Sequence, residues 1–277
     1  MGPDLKAAAP LVLIGAGKMG GAMLSAWLGK GLDPAGVRVI DPGLDDARRR
    51  DLERTGVGVA DKVSDGPCKD PAKILVLAVK PQIMKAVLAE VAGIAGPDTV
   101  VISIAAGIAM KTLAAAFAEG QGIVRIMPNM PAQVGAGMAV AFANDALNAD
   151  DRALVDALMA ATGATAWIGD EALMDAVTAV SGSGPAYVFY LAECLAAAGR
   201  AAGLDEALAE KLARQTVVGG GALLDAASEP AAVLRENVTS PGGTTAAALA
   251  VLMGDDGLKL LLEKAVAAAR ARSIELG

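Results

Sequence analysis

Six residues, Gly15-Ala16-Gly17-Lys18-Met19-Gly20, leave this chain few folds to choose from. Directly before them stands the apolar run Leu11–Ile14, and after them Met19, Met23 and Trp27 recur at helical spacing. A GxGxxG pattern alone says little, but one that follows a strand and opens a helix is the fingerprint of a dinucleotide-binding turn. In that setting Gly15 permits the tight turn, Gly17 lets the backbone approach a pyrophosphate, and Gly20 lets helix and strand pack closely. The helix start then offers unpaired N–H groups and about half a positive charge to the phosphates. The competing reading is a glycine-rich turn with no ligand.

The next stretch repeats the theme. Val37–Asp41, Ile74–Val79, Thr99–Ile104, Gly122–Met127 and Met138–Phe142 are short apolar runs, read as buried strands. Between them, 44–54, 82–91 and 110–118 are helical, with Pro81 at a helix-start position. Such alternation predicts a parallel, doubly wound sheet. From Asp170 onward the pattern is almost entirely helical. Val188, Leu191, Ala192 and Leu195 share one face, as do Leu258, Leu261, Leu262, Ala265, Val266 and Ala269. Two breaks interrupt the helices, Ser181–Pro185 and Ser240–Thr245. The expected organisation is therefore an α/β Rossmann-type domain over residues 1–168 and an all-α domain over residues 169–277. Gly219, Gly220 and Gly221 fall mid-helix, where each costs about 0.5–1 kcal/mol against alanine. Close helix approach would account for them and points to a second copy completing the helical domain.

Composition removes whole classes of function. With no histidine in 277 residues, neither a Ser-His-Asp nor a Cys-His nucleophile system can be built, and no His-ligated metal site is possible; no metal is expected. Lys and Arg number 24 against 31 Asp and Glu, a net charge of −7 that disfavours nucleic acid and anionic membranes as partners. Mean hydropathy is +0.48, but the longest apolar run, Val134–Ala143, is half of the roughly 20 residues a spanning helix needs. The N-terminus does not read as a secretory signal. The two cysteines, Cys68 and Cys194, form no CxxC pair and fit a reducing cytoplasm, each read as a small buried hydrophobe.

Several residues stand where chemistry would need them. Asp41 ends the second strand, where an acid normally accepts hydrogen bonds from the adenosine ribose and favours NAD(H); Arg48, Arg49 and Arg50 could offset its repulsion of a 2′-phosphate. The cofactor therefore stays open between NAD(H) and NADP(H). Lys80, in Ala78-Val79-Lys80-Pro81, sits beyond the end of the strongest strand, where ligands of open α/β sheets bind. Ser103–Gly107 ends another strand with side chains small enough to leave room for a nicotinamide ring. The Ser240–Thr245 turn leads into a helix with converging donors suited to a carboxylate, and Ser181–Pro185 has similar chemistry. The plainer reading of both is a helix cap worth about 1 kcal/mol.

Together GAGKMG, AVKPQ, SIAAG, RIMPNMP, AVSGSGPAYVF and ENVTSPGGTT, in this order, make the chain resemble pyrroline-5-carboxylate reductases over nearly its full length. The resemblance implies NAD(P)H-dependent reduction of 1-pyrroline-5-carboxylate to L-proline, the final step of proline synthesis. It also implies homodimers interlocked through the helical domains, often assembled further into decamers. It places Ile14, Gly15, Ala16, Gly17, Lys18, Met19 and Gly20 with Ala78, Val79, Lys80 and Pro81 against the cofactor. Ala105, Ala106 and Gly107 would flank the nicotinamide, and Glu171 and Asn237 would approach the cofactor. Ser240, Gly242, Gly243, Thr244 and Thr245, with Ser183, would bind the substrate, and Thr245 and Lys80 are the candidate catalytic groups. Two positions depart from the family pattern: Met130 replaces a threonine, and Asp41 replaces a serine or arginine of NADP-preferring members.

Two rivals share parts of this pattern. A β-hydroxyacid dehydrogenase has a similar glycine turn and a helical second domain, but oxidising an alcohol needs a general base. The helical region offers only Lys211, Lys259 and Lys264, none in the SGSGP segment. A non-catalytic nicotinamide-binding regulator would bind cofactor without turnover.

Overall fold

A computed structural model describes residues 5–65 and 71–276 of the chain; Cys68 lies outside them. The protein divides into two compact units. One runs through Gly182 and takes up the chain again from Arg270; the other is Ser183–Ala269.

Among the described residues, the first unit is built on an eight-stranded sheet: β1 (Leu11–Ile14), β2 (Val37–Ile40), β3 (Gly58–Ala60), β4 (Ala72–Leu77), β5 (Ala95–Ser103), β6 (Gly122–Met127), β7 (Gly137–Ala143) and β8 (Gly163–Trp167). Their spatial order is β3-β2-β1-β4-β5-β6-β7-β8. Helices α1 (Lys18–Gly29), α2 (Asp46–Thr55), α3 (Pro81–Val91), α4 (Met110–Ala114) and α5 (Ala149–Ala160) connect them. Successive side chains of a strand point to opposite faces, and both faces are covered here. Leu11, Leu13, Ile74 and Val76 pack with Met23, Leu24 and Trp27 of α1 and Leu158 of α5. Val12, Ile14, Leu75 and Leu77 pack with Met84 and Leu88 of α3 and Leu113 of α4. Burial on both sides is why these strands read as continuous apolar runs.

The sheet is not wholly parallel, as the alternation predicted. β6 and β7 pair antiparallel, Arg125 opposite Phe142. The connection between them, residues 128–136, falls short of the dozen or so residues that a parallel crossover requires. β3, β8 and α5 are additions to the expected elements. β3 is three residues long, β8 (GATAW) has little branched or aromatic character, and α5 opens on Ala-Asp-Asp-Arg. A side-chain cap marks the start of α5 instead, the Asn148 amide oxygen accepting from Asp151 N at 2.8 Å. α5 is tied to α1 by Trp27, whose buried indole Nε1 donates to Leu158 O at 2.8 Å.

The first unit ends in α6 (Met174–Val177) and one π-helical turn, Thr178–Gly182. In the second unit, α7 (Gly184–Ala201) and α8 (Glu206–Ala226) form a hairpin that turns at Gly203, φ +98°. Their contact is made through small side chains: Ala196, Ala209 and Ala213 are its buried apolar residues. A Cβ on Gly199 would come within 3.3 Å of the Ala209 Cβ, so Gly199 lets the pair approach. The close approach expected at Gly219–Gly221 is not made within the chain, where a Cβ on any of the three would meet nothing within 4 Å. α9 (Ala231–Asn237), α10 (Thr244–Leu252) and α11 (Leu258–Leu276) follow. The last residues of α11 count with the first unit, where Ser273 Oγ donates to Asp175 Oδ1 at 2.6 Å.

The apolar stripes of the second unit are not covered within one chain. Val188, Leu191, Leu195, Leu258, Leu261 and Leu262 are all exposed. Cys194 is exposed too, contrary to its reading as a buried hydrophobe, because it rides on the same uncovered α7. Among the described residues, no helix is long and apolar enough to cross a membrane.

Candidate active site

Strand order reverses direction between β1 and β4, and ligands of open α/β sheets bind beyond the carboxyl ends of strands at such a point. The glycine turn leaves β1 there, and Ala78–Pro81 leaves β4 beside it. Gly15 N donates to Ile40 O at 2.9 Å, and Ala78 N donates to Ile14 O at 2.8 Å. Gly15 has φ +88°, and a Cβ on it would lie 2.8 Å from Ala78 O. A Cβ on Gly20 would lie 2.3 Å from Gly15 O and 2.9 Å from the Ala78 Cβ. Around Gly17, at the N-cap of α1, a Cβ would meet nothing within 4 Å. Two glycines are thus closed against protein and the third faces open space at a helix start. That is the arrangement a dinucleotide pyrophosphate needs, so the residues present fit a nicotinamide cofactor. Ile14, Ala16 and Gly20 are buried around this opening, while Gly17 and Lys18 are exposed and Met19 is half-buried. A groove of about 580 Å³ continues from Ala16–Lys18 along α1, lined also by Ser25, Arg48 and Gln133.

Asp41 stands at the end of β2, with a role the sequence reading did not include. Its Oδ2 accepts from Ala16 N at 2.8 Å, and its Oδ1 from Gly43 N at 2.8 Å. The carboxylate therefore fastens the middle of the glycine turn, with lone pairs left for a further donor. The arginine run splits by environment. Arg49 pairs with Asp61, whereas Arg48 Nη2 turns toward α1 and donates to Ser25 Oγ at 3.3 Å.

Lys80 is exposed at the N-cap of α3 and Pro81 takes the first helical position, as expected from sequence. Ala78 and Val79 lie half-buried beneath it. After β5, Ala105, Ala106 and Gly107 form a half-buried loop in which Gly107 has φ +76°. Glu171 Oε1 accepts from Met110 N at 2.6 Å and pairs with Arg125, whose side chain is one-tenth exposed. This pair escaped the sequence reading, although a charged residue inside the strand GIVRIM is a signal for one. Asn129 joins two motifs read as separate: its Nδ2 donates to Ser181 O at 3.2 Å, and its Oδ1 accepts from Met138 N at 2.8 Å.

In the second unit the Ser240–Thr245 segment forms a tight turn ahead of α10. Gly243 N donates to Ser240 O at 3.0 Å, and Gly242 has φ +70°. Gly243 is the N-cap of α10 and makes no side-chain cap, so this turn is not the serine- or threonine-capped helix start of the plainer reading. Among the described residues, the hydroxyls of Ser240, Thr244 and Thr245 and the amide of Asn237 have no hydrogen-bond partner. Thr245 is half-buried and the other three are exposed. Ser183 makes no cap bond either, because the π-helical turn carries the backbone straight into α7. The pKa of the Tyr190 hydroxyl, also on α7, is raised above the ordinary phenol value, first by its hydrogen bond with Cys194 and then by the electrostatic interaction with that side chain.

Comparison with known proteins fits this geometry. Residues 171–276 match the family model described as pyrroline-5-carboxylate reductase dimerisation. Residues 10–107 match the model described as NADP oxidoreductase, coenzyme F420-dependent. A pyrroline-5-carboxylate reductase of Synechocystis sp. is 42% identical over 268 residues, covering 96% of this chain and 98% of that protein. The structure of a pyrroline-5-carboxylate reductase from Coxiella burnetii superposes with a TM-score of 0.89 at 34% identity, covering 98% of this chain and 99% of that one. A pyrroline carboxylate reductase from Plasmodium falciparum, crystallised with NADP bound, gives 0.80 at 29% identity over 97% and 98% of the two chains. On fold, motifs and full-length similarity together, this chain belongs to the pyrroline-5-carboxylate reductase family.

Proposed function

We propose that the protein reduces 1-pyrroline-5-carboxylate to L-proline at the expense of NAD(P)H, the last step of proline synthesis. The observation that carries this reading is the glycine turn at the β1/β4 switch point in a chain of which 96% matches a reductase of this name. The cofactor supplies a hydride from nicotinamide C4, and the carbon of a protonated C=N bond accepts it without a protein base. A chain with no histidine is suited to such a step. Residues 1–168 serve as the cofactor-binding domain, and residues 169–277 bind the substrate and form the homodimer. Ile14–Gly20, Ala78–Pro81 and Ala105–Gly107 hold and orient the cofactor, with Asp41, Glu171 and Asn237 beside it. The Ser240–Thr245 turn and Ser183 hold the substrate carboxylate, because unpartnered hydroxyls and backbone N–H groups at a helix start suit an anion. The Thr245 hydroxyl lies near the imine nitrogen and relays the amine proton with water, and the Lys80 ammonium favours the anionic ligands. The enzyme works in the cytoplasm, on a small-molecule substrate and without nucleic-acid or membrane partners. The dimer is the functional unit and the building block of a decamer.

The test is to mix purified protein with pyrroline-5-carboxylate and NADPH or NADH and follow the nicotinamide absorbance. Substrate-dependent oxidation is expected. Cofactor binding without oxidation would favour the regulator reading instead. Running Asp41→Ser alongside measures cofactor preference: its kcat/KM ratio should move toward NADPH, since a negative charge repels a 2′-phosphate.

A further inference from the structure

Arg125 lies at an odd place for a cation. It is the fourth residue of β6, flanked by Val124 and Ile126, which are buried. In the sheet register it stands directly beside Ser103, the last residue of β5. From Ser103 the chain enters the loop 104–109 and then α4. This loop is made of small or aliphatic residues, so it has no polar side chain with which to fasten itself. Its ends are fastened from outside. At the start, Ile104 N donates to Leu77 O at 3.0 Å. At the far end, Met110 N donates at 2.6 Å to Glu171 Oε1, the same oxygen that receives Arg125 Nη1.

We propose that Arg125 is a positioning residue for hydride transfer: through Glu171 it fixes the 104–109 loop against which the nicotinamide lies. This rests on the reading above that Ala105–Gly107 flank the nicotinamide. The chemistry of the pair supports a geometric role. The Arg125 charge is largely withdrawn from water and Glu171 is half-buried, so Arg125 repays its desolvation only when the geometry of the pair is good, and one carboxylate oxygen here serves the guanidinium and the loop end together. A guanidinium is planar and presents a fixed fork of donors, whereas a lysine ammonium is a flexible point charge. Lysine at 125 would keep the charge and lose the fixed direction. Glutamine at 171 would keep an acceptor for Met110 N and lose the ionic partner.

The experiment compares wild type, Arg125→Lys and Glu171→Gln by thermal unfolding and by steady-state kinetics with NADPH and NADPH deuterated at C4. For Arg125→Lys, kcat is expected to fall about 10- to 100-fold, the range that a misplacement of about 1 Å can produce. KM for the imine should stay near the wild-type value, and the deuterium isotope effect on kcat should grow as hydride transfer becomes limiting. Glu171→Gln should change in the same direction by less. Folded variants with wild-type kcat and an unchanged isotope effect would overturn the proposal. So would activity that falls only in step with the folded fraction, because the pair would then be a structural tie alone. A wild-type protein that oxidises neither cofactor overturns the functional reading, and this inference with it; that outcome is visible before any variant is made.

Discussion

Gly15, Gly17 and Gly20 look alike in the sequence and do different things in the turn. Gly15 must have a positive φ, Gly20 must have no side chain because of what it touches, and Gly17 faces open space, which the proposed site gives to the cofactor. They therefore fail differently. Gly20→Ala places a carbon against Gly15 O and should destabilise the first unit by about 1–3 kcal/mol, as overpacking does. Gly17→Ala meets no protein atom and its φ of −61° suits alanine, so the unfolding temperature should hold while KM for the nicotinamide cofactor rises. Equal loss of stability in both variants would show that Gly17 is structural. In the proposed site, Thr245 is the corresponding residue on the substrate side. With its hydroxyl unpartnered among the described residues, Thr245→Ala should lower kcat by about 10- to 100-fold, the weight of a hydrogen bond to a charged group. Cofactor affinity, read by fluorescence titration, should be unchanged; a collapse of cofactor binding would move Thr245 out of its assigned place.

At the scale of elements, the first unit is held by strands buried on both faces and by a few polar ties between helices. Trp27 is the clearest of these. Trp27→Phe keeps an aromatic ring in the core but leaves Leu158 O without its donor, and should cost about 1–3 kcal/mol in denaturant unfolding. No measurable change would mean that the bond contributes nothing net. The elements that were legible in the sequence are those with period and punctuation: β1, β2 and α1 end where glycine or aspartate marks them, β4 is a strong apolar run, and α3 opens on Pro81. β7 was legible as a strand at Met138–Phe142, but its antiparallel direction was not, because an apolar run carries no direction and only the length of its connection fixes one. Ser181–Pro185 reads as a break, since glycine and proline usually stop a helix, yet its backbone closes a π-helical turn and runs on. The candidate site was legible in its turns. The polar ties behind it were not: Asp41 to Ala16 N, Asn129 to Ser181 and Arg125 to Glu171 join residues 25, 52 and 46 positions apart, and spacing along the chain cannot show them.

For the whole molecule, the two units solve different problems. The first covers its sheet from within the chain, while the second leaves Leu191, Leu195, Leu223, Leu261 and other large apolar residues exposed. A region that matches a dimerisation family and exposes such stripes should not persist as a monomer. Light scattering on dilute protein is expected to give a mass at least twice the 27.5 kDa of the chain, and ten times that value if dimers assemble into decamers. A folded species at the mass of one chain would refute the dimer. The absence of histidine reaches the same scale, because it leaves hydride transfer to an imine as a redox step this chain can perform without an imidazole base. Turnover of pyrroline-5-carboxylate with NADPH deuterated at nicotinamide C4, followed by mass and NMR analysis of the product, tests that claim most directly. The account predicts L-proline carrying deuterium at the ring carbon next to nitrogen on the side away from the carboxylate, for one of the two C4 epimers of the cofactor. Formation of no proline, or of proline with no deuterium from either epimer, would contradict it.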